Sequence, residues 1–311
     1  MAKAPSLRDY QEHYKSESYN FFKQSSNQYL LLVMPTGTGK TTLFSSMTFD
    51  FVKEYHKTFL VVHRIELVDQ IVARLADFGI RAGVIAGGYP LALELPVQVG
   101  MIQSLSDELN WIPDYVIIDE CHHSPAGTYT RIWERFPRAK ILGVTATPVR
   151  TDNKGFDDLY DTMLNLYPMS WFFERNHLVT PKHYICTNFS PPITTSLSSG
   201  IEYDYIEMAK QLRADKQIAD VINSYRVYSP GRRAVVFAVN VDHSKDIMTR
   251  FNKAGIPADH IDGSLDKNDR KRIIKEFSEG KIKVLCNYDI VSEGFDVPAI
   301  ETVILARRSK S

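Results

Sequence analysis

The stretch Met34-Pro-Thr-Gly-Thr-Gly-Lys-Thr-Thr42 decides the fold, because it follows the apolar run Tyr29–Met34 and precedes a helical pattern. Gly37 and Gly39 allow the backbone to curl so that its N–H groups face a polyphosphate, and Lys40 can reach the β- and γ-phosphates. A strand, a glycine-rich turn and a helix in this order predict a phosphate-binding unit of a parallel α/β sheet.

This phosphate-binding loop (residues 34–42) matches the pattern GxxxxGK[ST] except that Met34 stands where the first glycine is expected. In that pattern the hydroxyl of Thr41 ligates Mg²⁺. A glycine-rich hairpin or a chance match is the alternative, and the flanking strand and helix argue against it. The predicted nucleotide-binding residues of the loop are Thr36, Gly37, Thr38, Gly39, Lys40, Thr41 and Thr42.

Asp119-Glu120-Cys121-His122 ends another apolar run, at the position where ligands collect in open α/β sheets. We predict that Asp119 holds Mg²⁺ and that Glu120 polarises the water that attacks the γ-phosphate. Two acids after a strand are by themselves typical of a solvated turn or a helix cap, but the upstream phosphate-binding loop favours the catalytic interpretation. The spacing of His122 and His123 resembles no zinc signature.

Further apolar runs alternate with amphipathic stretches in the first part of the chain, and this βα pattern predicts a doubly wound parallel sheet. The predicted strands after the first are Phe59–His63, Val97–Ile102, Tyr115–Asp119 and Ile141–Thr145. A helical spacing of apolar residues runs from Leu67 to Phe78 and ends at Gly79.

The same architecture repeats in the second part of the chain. The predicted strands are Ala234–Val239, Ala258–Ile261, Ile282–Asn287 and Thr302–Leu305, and the predicted helices are Val241–Ala254 and Asp266–Ser278. A long helical pattern from Tyr203 to Tyr228 precedes them, and the Ser-, Pro- and Thr-rich stretch Ser190–Gly200 has no periodicity. We therefore predict two α/β domains, 1–189 and 201–311, joined by a linker over 190–200.

Composition limits the class of protein. The 311 residues suffice for about two domains, and a hydrophobic fraction of 44% is that of a globular protein. Equal numbers of basic and acidic residues, 37 each, exclude a polybasic mode of nucleic-acid binding but allow a local phosphate-binding groove. Three widely spaced cysteines fit neither a disulfide framework nor a CxxC metal site, which favours a reducing compartment. With no signal peptide and no apolar run near the ~20 residues of a membrane span, we expect a soluble, cytoplasmic protein without membrane contacts.

The phosphate-binding loop and the DECH sequence are followed by Thr145-Ala-Thr-Pro148 and Ser292-Glu-Gly-Phe-Asp296, each at a predicted strand end. In this order, the four motifs resemble those of superfamily 2 helicases of the DEAD/DEAH-box type. The resemblance covers nearly the whole chain and implies two tandem RecA-like domains with parallel sheets. Within the superfamily, residues 145–155 and 286–298 look most similar to bacterial and phage RadD-like repair helicases.

The resemblance implies further roles, residue by residue. Arg8 would pack on the adenine of ATP and Gln11 would hydrogen-bond its edge, although the start of an N-terminal helix is the alternative interpretation. Arg64 would bind a phosphate of the nucleic-acid backbone, with Gln103 and Ser104 at a second backbone contact. For these three residues the alternative is an ordinary exposed polar loop.

Two more groups of residues take their roles from the resemblance. Those that would couple the ATP site to domain movement are His122, Thr145 and Thr147, and a structural turn is the alternative for the two threonines. In the second domain, Gly294 and Asp296 would close over the ribose and triphosphate, while Ser292 would touch the nucleic-acid strand. A tight turn before a strand is the alternative there.

The resemblance implies a motor that uses ATP and Mg²⁺ and couples hydrolysis to movement along a nucleic acid, with DNA favoured over RNA on the RadD-like similarity. The alternative from another class is an ATP-switched nucleic-acid-binding module with little turnover. A small-molecule kinase is disfavoured, because such enzymes need neither TATP nor a second α/β unit with SEGFD.

Helicases of this superfamily continue after their last strand with a QxxGRxxR helix, whose arginines reach the γ-phosphate. This sequence reaches Arg307 and Arg308 without that pattern, and Arg232 and Arg233 precede the first strand of the second domain and cannot replace it. We therefore expect a second domain that is incomplete at its C-terminus and hydrolysis that is weak without an arginine finger. A protein partner or a second copy would then supply the arginine.

Overall fold

The computed structural model describes residues 6–24, 26–105, 110–123, 126–150, 155–185, 194–197, 200–203, 215–288 and 300–307. The chain divides into two compact units, Met1–His183 and Tyr184–Ser311. Each unit has its own parallel sheet and its own buried core. Within the described ranges, no helix is long and apolar enough to cross a membrane.

The first unit contains a parallel sheet of seven described strands in the order β3-β4-β2-β5-β6-β1-β7. The strands are β1 (Tyr29–Val33), β2 (Thr58–Val61), β3 (Ala82–Ile85), β4 (Val97–Gly100), β5 (Tyr115–Ile118), β6 (Lys140–Thr145) and β7 (Thr162–Leu164). The helices are α1 (Asp9–Lys23), α2 (Lys40–Lys53), α3 (Ile65–Asp77), α4 (Ala126–Arg135) and α5 (Met169–Glu174). Single 3₁₀ turns cover Ile102–Ser104 and Cys121–His123.

Burial on both faces explains why the central strands are apolar at successive positions. In β1, Leu30 and Leu32 belong to the core that contains α1, α2 and α3, whereas Leu31 and Val33 belong to the core that contains α4. Successive side chains of a strand point to opposite faces, so a strand covered on both faces needs an apolar residue at each position. The doubly wound α/β fold that the sequence predicts is confirmed.

The sheet edges are the part of this fold that the sequence pattern missed. Strand β3 lies at one edge and contains a glycine, and β7 lies at the other edge with Thr162 and Leu164 half-buried and Met163 exposed. Short, half-buried edge strands carry too few apolar residues for periodicity to reveal them.

The second unit contains a four-stranded parallel sheet in the order β11-β12-β10-β13 and a separate antiparallel hairpin, β8–β9. The strands are β8 (Thr194–Leu197), β9 (Gly200–Tyr203), β10 (Ala234–Phe237), β11 (Ala258–Ile261), β12 (Val284–Asn287) and β13 (Thr302–Leu305). The helices are α6 (Asp215–Tyr228), α7 (Val241–Lys253) and α8 (Lys267–Ser278).

The division between the units differs from the predicted linker. It lies between His183 and Tyr184, before the predicted boundary at residue 189. Strand β8 lies inside the predicted linker 190–200, and Tyr203 belongs to β9 rather than to the long helix predicted from that residue. The threonines and serines of this stretch allow a hairpin as readily as a linker, because threonine is β-branched and fits a strand.

Candidate functional site

The phosphate-binding loop connects β1 to α2 at the carboxyl edge of the first sheet. Gly37 and Gly39 adopt φ of 84° and 80°, a left-handed conformation that favours glycine. A Cβ placed on Gly39 would lie 2.5 Å from Gln11 Nε2, so an alanine there would displace the Gln11 amide as well as strain the backbone. Thr38 is buried, and its hydroxyl donates to the carbonyl of Pro35 at 2.6 Å. The loop is therefore a preformed curl that ends at the first turn of α2, where free backbone N–H groups bind anions.

Helix α1 holds this loop from outside. The Gln11 amide nitrogen donates to the carbonyls of Thr38 and Gly39 at 3.0 and 3.1 Å, and the Tyr10 hydroxyl donates to Thr38 at 2.8 Å. The Gln11 amide oxygen accepts from the backbone N–H of Arg8 at 2.9 Å. Gln11 is only 4% exposed, so both ends of its amide are occupied by the protein in this structure.

Three charged groups predicted from separate motifs come together beside the loop. Lys40 Nζ lies 3.2 Å from Glu120 Oε1, and the Lys40 side chain is only 8% exposed. Asp119 follows β5 directly, and its Oδ1 accepts from the backbone N–H of Glu120 at 3.0 Å. Glu120 adopts a left-handed φ of 45°, which is uncommon for a residue with a side chain and often marks a functional site.

The electrostatics of this group favour a cation. Burial, together with the neighbouring charge of Glu120, raises the pKa of Asp119 to about 6, although Lys40 acts in the opposite direction. A divalent cation next to Asp119 would stabilise its ionised carboxylate. The hydroxyl of Thr41, at the start of α2, is a second oxygen donor of the kind that Mg²⁺ prefers. The donor set of Asp119 and Thr41 therefore fits Mg²⁺.

His122 connects the acidic pair to the end of β6. Its Nδ1 lies 2.9 Å from the hydroxyl of the buried Thr145 and 3.5 Å from Glu120 Oε2. That hydroxyl donates to the carbonyl of Thr147 and accepts from the Thr147 N–H. The predicted coupling residues thus form one hydrogen-bonded network.

The predicted nucleic-acid contacts lie along the same edge of the sheet. Arg64 is exposed at the start of α3, which follows β2, and Gln103 is exposed in the 3₁₀ turn that follows β4. Ser104 is half-buried in the same turn. Because β2 and β4 are neighbouring parallel strands, their carboxyl ends and the polar residues after them are adjacent.

The remaining predicted site residues are exposed, are hydrogen-bonded to other parts of the protein, or lie outside the described ranges. Thr36 is exposed, whereas the Thr42 hydroxyl accepts from Arg74 of α3 at 2.9 Å and is thus engaged with the protein. Arg8 is exposed, and its guanidinium donates to the Tyr10 hydroxyl at 3.2 Å. The positions of the second domain, Ser292, Gly294 and Asp296, lie outside the described residues.

Sequence reasoning missed a wall of the site that comes from α5 and the turn after it. A Cβ placed on Gly37 would lie 3.1 Å from Leu178 Cδ2, so this turn packs against the phosphate-binding loop. The rings of Trp171 and His177 contact Tyr10, with centroids 5.9 and 4.8 Å from its ring. The aromatic run Trp171-Phe-Phe173 was the available signal, but nothing local connects it to a loop far upstream.

Both domains match known families. Residues 4–150 match the family described as type III restriction enzyme, res subunit, and residues 215–311 match the helicase conserved C-terminal domain. These two domain families, in this order, are the combination that the resemblance to superfamily 2 helicases implies.

Similar proteins match this chain over most of its length. It is 33% identical over 282 residues to a 51.5 kDa protein of Lactococcus phage (isolate 7-9), which covers 90% of this chain and 59% of the relative. It is 29% identical over 316 residues to the putative mitochondrial ATP-dependent helicase irc3 of Schizosaccharomyces pombe, covering 95% of this chain and 51% of the relative. The chain thus spans somewhat more than half the length of these two relatives.

Solved structures of other proteins share the fold. The Hef helicase domain of Pyrococcus furiosus aligns with a TM-score of 0.57 at 16% identity, over 99% of this chain and 91% of the other. The DNA-bound type ISP restriction-modification enzyme LlaBIII aligns with a TM-score of 0.68 at 18% identity, over 99% of this chain and 26% of the other. At such low identities the likeness shows the fold alone. That fold is the pair of tandem RecA-like domains that the sequence predicts.

Proposed function

We propose that this chain binds and hydrolyses MgATP and uses the reaction to move along a nucleic acid. The observation that supports this most directly is the ion pair of Lys40 and Glu120, which places a phosphate-binding amine and an acid capable of activating water at one loop. Asp119 and Thr41 would hold Mg²⁺, and the remaining backbone N–H groups of the loop would bind the phosphates.

Hydrolysis at this site follows from the roles of these side chains. Lys40 balances the charge of the β- and γ-phosphates, and Mg²⁺ polarises them when it is bound. On ATP binding, Lys40 exchanges the Glu120 carboxylate for phosphate oxygens, which releases Glu120 to orient the attacking water and take its proton. The His122–Thr145–Thr147 network carries the change in Glu120 to the end of β6.

We propose DNA as the preferred nucleic acid. The DNA-bound restriction-modification enzyme among the structural neighbours and the res-subunit family match support this choice. The formal net charge of the chain is zero, so phosphate binding depends on a local group of residues. Arg64, Gln103 and Ser104 would form that group and contact the sugar-phosphate backbone. Gly294 and Asp296 toward ATP, and Ser292 toward the strand, remain predictions of the motif order.

The experiment that tests this function is an ATPase assay of the parent chain with single-stranded DNA, duplex DNA and RNA side by side. Lys40→Ala serves as the inactive control. We expect turnover that rises with DNA and rises less with RNA. ATP binding and DNA binding that affect each other without any turnover would instead establish an ATP-switched binding module, and turnover unchanged by every nucleic acid would contradict the motor.

A further inference from the structure

A column of rings lies next to the phosphate-binding loop. Tyr167 and Trp171 have centroids 4.2 Å apart with planes inclined by 30°, and Trp171 and His177 have centroids 5.4 Å apart with planes inclined by 25°. The backbone N–H of His177 donates to the carbonyl of Phe172 at 2.9 Å, which fixes the turn after α5. His177 is therefore held in a stacked contact with Trp171, whose ring also lies 4.4 Å from the guanidinium of Arg175.

Tyr10 connects this column to the loop. Its ring contacts the His177 ring at 4.8 Å, and its hydroxyl donates to the Thr38 carbonyl at 2.8 Å. The residue after His177 is Leu178, which lies against Gly37. His177 thus lies one side chain away from the loop that we propose binds the phosphates, a distance suited to the nucleoside part of the same ligand.

The groups that could hold the base are few. Gln11, the residue expected to read the adenine edge, has both ends of its amide hydrogen-bonded to the protein. Arg8 is exposed and has no ion-pair partner among the described residues. His177 is half-buried, and within the described part of the chain neither of its imidazole nitrogens makes a hydrogen bond. Arg8 and His177 both contact Tyr10, Arg8 at its hydroxyl and His177 at its ring.

We propose that His177 is a base-contacting residue, on whose ring the purine of ATP stacks beside the guanidinium of Arg8. The inference rests on the proposed function and specifies its nucleotide subsite. A stacked base extends the Tyr167–Trp171–His177 column by one ring, and the column is ordered before the ligand arrives, so little conformational entropy is lost. Stacking recognises the presence of a base rather than its edge, because every base has a π-face.

The test compares a ligand that has a base with one that lacks it. Calorimetry measures the affinities of the non-hydrolysable analogue AMP-PNP and of tripolyphosphate, each with Mg²⁺, for the parent, His177→Ala and His177→Phe. His56→Ala is the matched control, because His56 is partly exposed next to Asp114 at the amino edge of the sheet. Thermal melting establishes that each variant is folded.

We expect His177→Ala to weaken AMP-PNP binding roughly tenfold, which is the scale of base–aromatic stacking, and to leave tripolyphosphate binding unchanged. His177→Phe should restore the parent affinity, since it keeps a flat ring. An unchanged AMP-PNP affinity in His177→Ala, an equal loss for both ligands, or a failure of phenylalanine to restore binding would each overturn the subsite. A parent that binds tripolyphosphate but binds AMP-PNP no more tightly contradicts the subsite alone, whereas a parent that binds neither contradicts the proposed function as well.

Discussion

Lys40 Nζ lies 3.2 Å from Glu120 Oε1, so the two residues central to the proposed chemistry neutralise each other while no phosphate is bound. The ion pair connects the first residue of α2 to the turn that follows β5. Under the proposed function, ATP competes with Glu120 for Lys40, and the same exchange releases Glu120 for its proposed catalytic role.

Removal of the amine tests this exchange. Lys40→Ala should abolish detectable ATP binding and turnover, because it removes the charge that faces the phosphates and leaves the Glu120 carboxylate to repel them. Far-UV circular dichroism should be unchanged, since the loop curl depends on Gly37 and Gly39. Parent-level ATP affinity in Lys40→Ala would show that the phosphates bind elsewhere.

The hydrogen bonds from Gln11 of α1 to the phosphate-binding loop, here called the α1 clamp, predict a second effect. Gln11→Glu replaces the amide nitrogen that donates to Thr38 and Gly39 with an acceptor, so buried carbonyls lose their donor next to a new charge. We expect the free energy of unfolding to fall by about 2–3 kcal/mol and tripolyphosphate binding to weaken. Gln24→Glu, at the exposed end of α1, is the control and should change neither. Equal behaviour of the two variants would contradict the clamp.

The raised pKa of Asp119 gives a stability that depends on pH. The folded protein holds this proton more tightly than the unfolded chain, whose ordinary pKa is 3.8, so ionisation opposes folding as the pH rises through about 6. Asp119→Asn should therefore stabilise the metal-free protein by up to roughly 3 kcal/mol above pH 7 and leave stability unchanged below about pH 4. Urea denaturation at pH 4 and pH 8 measures the difference, and an effect equal at both values would contradict this origin.

The network at the end of β6 predicts a separation of two activities. Thr145→Val keeps the shape of the side chain but removes the oxygen that His122 and Thr147 share. ATPase without nucleic acid should persist, while its stimulation by DNA should fall by roughly fivefold or more, the lower range of a coupling free energy. A variant that loses both activities in proportion would assign Thr145 to packing alone.

Arg64 should contribute one phosphate contact. In Arg64→Ala, the slope of log affinity for single-stranded DNA against log salt should become shallower by about 0.7. Arg138→Ala is the matched control, because Arg138 is exposed before β6, at the opposite edge of the sheet. If both variants reduce the slope equally, binding is not confined to the carboxyl edge.

Local patterns in the sequence were sufficient for most strands of the two parallel sheets and for the phosphate-binding loop. Strand β1 and the loop were predicted because buried strands are apolar throughout and because Gly37 and Gly39 mark a backbone that no other residue adopts easily. The predicted bounds of β11 (Ala258–Ile261) and β13 (Thr302–Leu305) agree with the structure to the residue.

Contacts between distant segments were beyond the sequence. Trp171 and His177 contact Tyr10 only because α5 packs against α1, and a single sequence contains no signal for that packing. The hydrogen bond from the Gln11 amide to Thr38 likewise depends on tertiary packing. The motif indicates the residue type but not its hydrogen-bond partner. The β8–β9 hairpin in the predicted linker was missed for a local reason. Its Ser and Thr residues fit both a strand and a loop.

The most direct test of the proposed site is a single-turnover measurement of bound, radiolabelled ATP in the parent and in Glu120→Gln, with saturating single-stranded DNA. Both proteins should bind MgATP with affinities within roughly a factor of ten of each other, because Asp119, Thr41 and Lys40 remain. The parent should cleave the γ-phosphate roughly a hundredfold faster, the scale of a lost general base. Equal cleavage rates in the two proteins would contradict the assignment of Glu120 and, with it, the proposed use of the Lys40–Glu120 pair.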